Sequence, residues 1–203
     1  MSRRTTRSVS PLLTLGACSL VVALSACSDE APARPPIDLD GGAMCTVEEA
    51  APPNEGAAHT ESCKPVTFGT SPPASGTHYP SWPVFRAYDQ PVPWGFLVHG
   101  LEHGAVVLAY NCPDGCAADV EAAKTLMAAV PARGCGRPPV ILTPDPTLTT
   151  RFAAAAWGHI LRAPCFDRAR FLQFITAHMN KGPEFWESDC GALDKESTGW
   201  CPL

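Results

Sequence analysis

WGFLVHGLEHGAVVLAYN, residues 94 to 111, is the stretch on which the fold turns. At its centre VHGLEHG places His99 and His103 four positions apart, each followed directly by a glycine, with Glu102 beside the second. A helix would set both imidazoles on one face, one turn apart. Two features weigh against it. Gly100 and Gly104 each cost a helix interior roughly 1 kcal/mol relative to alanine, and WGFLVH and AVVLAY read as short apolar strands. The expectation is therefore a β-hairpin with Gly100, Leu101 and Glu102 as its loop. His99 and His103 then oppose one another across the strands, with Cβ atoms ~4.5 to 5.5 Å apart.

Upstream, PPASGTHYP at 72 to 80 supplies a third histidine, His78. His78, His99 and His103 with an acid form the donor set that zinc or copper(II) prefers, imidazole nitrogens binding either at about 2.0 to 2.1 Å. Glu102 is then the candidate general base acting on a metal-bound water. A plainer reading has the histidines hydrogen-bonding buried carbonyls and Glu102 capping a loop. A third gives metal-free hydrolysis, with Ser75 as nucleophile, His78 or His103 as base and Glu102 as orienter, although PPASG lacks a GxSxG elbow. Tyr79, Trp82, Phe85, Trp94 and Trp157 read as core. The functional readings are thus an exported metal-binding protein, a cell-envelope hydrolase and a non-catalytic interaction module.

Downstream, residues 117 to 130 place Val120, Ala123, Met127 and Val130 on one helical stripe that Pro131 ends. PPVILTP at 138 to 144 reads as a short buried strand. Residues 152 to 161, FAAAAWGHIL, favour helix by alanine content and strand by Gly158 and length; a strand is expected. Asp167 caps a helix over 168 to 180. The order ββαββα implies an α+β fold, a small mostly antiparallel sheet with helices packed on one face. Its loops are stapled by disulfides. Outside the first 27 residues the cysteines are Cys45, Cys63, Cys112, Cys116, Cys135, Cys165, Cys190 and Cys201, an even number consistent with up to four bridges in an exported chain. Cys112 and Cys116 span a turn sequence, NCPDGC, that suits a structural bridge.

The N-terminus carries Arg3, Arg4 and Arg7, an apolar region from Pro11 to Ala26, and the tetrad Leu24, Ser25, Ala26, Cys27. This reads as a signal peptide over 1 to 26 with Cys27 as a lipidated residue, favoured over the similar tetrad ending at Cys18, whose apolar core is short. The apolar run is also too short for a membrane span, which needs ~20 residues. Losing 26 of 203 residues, among them three arginines and no acid, shifts the formal charge from −5 to −8. An acidic chain without a basic run excludes a nucleic-acid partner. Residues 27 to 44 read as an acidic, proline-rich tether, and 45 to 203 as one globular domain. The expected location is the cell envelope, periplasmic face or outer membrane, anchored through the N-terminal lipid.

Four segments in this order, PPASGTHYP, VHGLEHGAVV at 98 to 107, AAAWG at 154 to 158 and GPE at 182 to 184, resemble the bacterial family named domain of unknown function 3105. The resemblance covers roughly residues 63 to 187. It implies that His78, His99, Glu102 and His103 occupy motif positions, and it supplies no activity.

Overall fold

The computed structural model describes residues 38–39, 43–192 and 200–201, all within the unit Pro36–Leu203. The signal peptide 1 to 26, Cys27 and most of the tether lie outside the described residues. Within the tether, Asp38–Leu39 (β1) and Ala43–Met44 (β2) form a short antiparallel pair.

The expected hairpin is absent. Trp94–Glu102 is a helix, α1, with His103 as its C-cap, and only the second apolar run is a strand, β4, Val106–Tyr110. Tertiary packing outweighs the glycine penalty. Gly95 lies so close to the Tyr79 ring that no Cβ would fit, and a Cβ on Gly100 would come within 3.3 Å of Ile141 Cδ1. Gly104 is the stop signal. At φ +77° its N–H reaches the Leu101 carbonyl at 2.8 Å, while Ala105 N–H reaches Gly100 O at 2.9 Å, the Schellman pattern that glycine permits after a helix. The HxxxH spacing is therefore helical.

The remaining elements lie close to their expected places. Helix α2 spans Ala117–Ala129, β5 Val140–Pro144 and α3 Arg168–His178; Asp167 Oδ1 accepts from Ala169 and Arg170 N–H. The alanine-rich stretch resolves into two strands, β6 Phe152–Ala156 and β7 His159–Ala163, around a turn in which Gly158 has φ +71°. With edge strand β3, Glu48–Ala50, they build a five-stranded sheet in the order β3-β7-β6-β4-β5. Every pair is antiparallel except β4/β5, whose parallel pairing needs a crossover that α2 supplies.

The α+β fold is as expected, with one difference in layering. α2 and α3 share one face, where Leu126, Phe171, Phe174 and Ile175 pack on Val106, Leu108 and Ala154. α1 covers the opposite face, where Phe96, Leu97 and Leu101 pack on Val107, Ala109 and Ala155. Strand β6 is thus buried on both sides, which explains its alanines: small side chains let both layers approach. The eight cysteines among the described residues pair, as Cys45–Cys165, Cys63–Cys201, Cys112–Cys116 and Cys135–Cys190. Among the described residues no helix is long and apolar enough to cross a membrane.

Candidate metal centre

The C-terminal turn of α1 is where the chain concentrates its chemistry. The helix presents His99, Glu102 and, at its cap, His103, all buried. Two loops bring further groups to them. Residues 58–60 pair with the SGTHYP segment through Thr60 N–H to His78 O at 2.8 Å and His78 N–H to Ala58 O at 2.9 Å, which sets His59 against His78. On the other side the GPE segment docks on the helix end. Gly182 leaves no room for a Cβ against the Glu102 and Leu101 carbonyls, and Glu184 N–H satisfies Glu102 O at 3.0 Å. That contact delivers the Glu184 carboxylate to within 3.8 Å of His103 Nε2.

The inner nitrogens are fixed by groups that can only accept. His78 Nδ1–H donates to Gly76 O at 2.8 Å, and His99 Nδ1–H to Tyr79 O at 2.6 Å. His103 Nδ1 faces Asp189 Oδ2 at 3.0 Å, off the line of a well-formed hydrogen bond. Burial pushes the Asp189 carboxyl up, but His103, Gly191 N–H and the Trp82 indole together hold it below the usual carboxylate range. The acceptor-only carboxylate 3.0 Å from Nδ1 favours the tautomer that carries the proton there. His99 is pushed down to about 4, first by burial and further by His78, His103 and His59, against the Tyr79 carbonyl bond. It is neutral at physiological pH.

With the Nδ1 protons placed, the Nε2 lone pairs turn toward one another. His99 Nε2 and His103 Nε2 lie 3.1 Å apart; His78 Nε2 lies 3.0 Å from Glu102 Oε2, and His59 Nε2 3.6 Å from the same oxygen. Where both atoms are buried, as they are in all but the His59 contact, acceptors at such distances repel unless a proton or a cation sits between them. The ligand atoms of His59, His78, His99 and Glu102 all fall within 4.8 Å of one another, as do those of Glu102, His103 and Glu184. Imidazoles whose second nitrogen is held by a carbonyl or carboxylate are what metal ligation requires. His59, with its side chain 45% exposed, forms the solvent-facing side.

Trp82 closes the other side, stacking on His99 and His103 with ring centroids 4.6 and 4.1 Å away and donating Nε1–H to Asp189 Oδ1 at 3.0 Å. Buried Arg133 ties the layers together through His103 O at 2.9 Å, Asp189 O at 3.2 Å and Asn180 Oδ1 at 2.8 Å.

The three histidines singled out in the sequence converge, though not as one set. His78 and His99 group with Glu102, and His103 belongs to the second group. Glu102 stands among the donors rather than apart from them as a base. Ser75 takes no part: its Oγ accepts from Glu55 N–H at 2.9 Å, and both nitrogens of His78 are engaged elsewhere. His59, Glu184 and Asp189 were missed. Glu184 lies inside the GPE motif, which was a usable signal; His59 and Asp189 sit in loops without periodicity or motif.

Comparison with curated proteins and with solved structures finds no match. A family model matches residues 59–190, a span that opens on His59 and includes every group of the cluster through Asp189. The chain belongs to the family described as protein of unknown function (DUF3105).

Proposed function

We propose that this chain is an exported, lipid-anchored metal-binding protein whose buried histidine–glutamate cluster takes zinc or copper(II). The observation that carries the metal reading is the His99/His103 contact: two buried Nε2 atoms 3.1 Å apart, with Nδ1 of His99 bonded to a carbonyl and Nδ1 of His103 turned to a carboxylate. Imidazole with carboxylate suits both metals. Glu102 acts as a ligand in this reading, so Glu102→Gln should weaken binding.

The test is titration of chelator-stripped, disulfide-intact protein with each ion. Ligand at about 100 times Kd stabilises a fold by ~2.7 kcal/mol, which for a domain of this size is a melting rise of roughly 5 to 10 °C. His78→Ala should lower the rise. No saturable binding of either ion in the wild type would overturn the metal reading. The export and anchoring rest on the signal-like N-terminus and on Cys27. Cys27→Ser should move the protein from the membrane fraction to the soluble one, and an unmodified N-terminus at another position would remove that part.

A further inference from the structure

The donors around α1 fall into two sets with different chemistry, and Glu102 belongs to both. One set, His59, His78, His99 and Glu102, is rich in nitrogen; the other, Glu102, His103 and Glu184, is rich in oxygen. We propose that the centre holds two divalent cations bridged by the Glu102 carboxylate, a deepening that rests on the metal reading above.

Three observations carry it. A carboxylate has two oxygens, and Glu102 is 2% exposed, with donors of both sets around it. Its Oε2 meets His78 and His59 of the first set, while its neighbour in sequence, His103, turns Nε2 toward Glu184. His103 is itself buried at 2% exposure, and Asp189 is set against its other nitrogen as it would be for a ligand, which gives the second set an oriented imidazole. Paired cations at such bridges lie ~3.5 to 4 Å apart, so neighbouring ligands on the two ions approach one another, as His99 and His103 do at 3.1 Å.

The two positions are unequal. Three imidazoles hold copper(II) or zinc tightly, whereas one imidazole and two carboxylates, one of them 53% exposed at Glu184, form a harder and more open site. The first equivalent fills the nitrogen-rich set. The second binds more weakly and is the first removed by a chelator.

The experiment is metal content per chain, by elemental analysis after equilibrium dialysis against a range of free zinc, on wild type and on Glu184→Ala. The Glu184 side chain is half-exposed, so its truncation leaves the packing intact. Two equivalents in the wild type and one in Glu184→Ala are expected. With copper(II), the paramagnetic signal should grow through the first equivalent and diminish on the second, because bridged copper ions couple their spins. One equivalent in both proteins would overturn the second position and leave the single-ion reading standing. Zero equivalents would overturn both. Two equivalents with additive copper signals would mean two unbridged ions and would overturn the role given to Glu102.

Discussion

His99 and His103 stack with ring centroids 4.9 Å apart at the end of α1; His159 and His178 stack at 4.0 Å, between the start of β7 and the end of α3. By distance the second pair is the closer. Its surroundings differ: the rings are half-buried beside Glu49, Ile160 and Phe174, and among the described residues neither ring hydrogen-bonds a carbonyl or a carboxylate. Their tautomers are free. At α1, backbone carbonyls and Asp189 fix the proton on the inner nitrogens and aim the outer lone pairs at one another and at Glu102. Histidine proximity alone does not make a site; commitment of one nitrogen per ring does, because it removes the tautomer that would face a metal with a proton.

The comparison breaks most sharply on substitution. His99→Ala should abolish stoichiometric retention of zinc or copper(II) through dialysis, while His159→Ala and His178→Ala should retain the wild-type metal content. Equal losses in all three would show that pairing, not orientation, governs binding. A milder change sharpens the point: Asp189→Asn keeps the shape beside His103 but removes the charge, and loss of such an orienting partner costs ~10- to 100-fold in affinity. Glu49→Gln, beside the other pair, should leave the titration curve unmoved.

Acid should separate the pairs in the metal-free protein. His99 is held near 4, below its ordinary value of 6.5, so its neutral form belongs to the folded state. The unfolded chain takes up the proton first, and the stability from this group, complete above about pH 6.5, is lost as pH falls toward 4. His178 is lowered in the same direction, first by burial and then by His159 and Lys181. Denaturant midpoints at pH 7 and 4.5 should show the slope reduced in His99→Asn, and less so in His178→Asn because that ring is more open to solvent. Packing gives an effect of its own: Gly95→Ala should cost ~1 to 3 kcal/mol by pressing on the Tyr79 ring, as overpacked sites do. Because Tyr79 O orients His99, metal affinity should fall with it, whereas Asp167→Ala, costing ~1 kcal/mol at the α3 cap, should leave affinity untouched.

Where periodicity and punctuation agreed, the fold was legible. Pro131 after α2, Asp167 before α3 and the short apolar run of β5 each marked their elements. The central helix was not, because the reasons for Gly95 and Gly100 lie in Tyr79 and Ile141, distant in the chain, and because Gly104 reads equally as a turn residue and as a helix stop. The same limit governs the cluster. VHGLEHG exposed the helix-borne donors, but His59 and Asp189 reach them only through loop pairing, and nothing in AAHT or ESDC announces it.

One of those loops is closed covalently. Asp189 precedes Cys190, whose partner Cys135 stands two residues after Arg133, the side chain that grips both His103 O and Asp189 O. The bridge therefore works as a clasp on the tail-borne half of the site, and it gives maturation an order. Before oxidation the eight cysteines beyond Cys27 are thiols that compete for the same cations, and Asp189 hangs on hydrogen bonds alone. Once the clasp shuts, the thiols are consumed and the carboxylate is fastened beside His103. On the proposed metal reading, loading belongs after that event, and a reductant should release the ion from the loaded protein without touching any of its ligands.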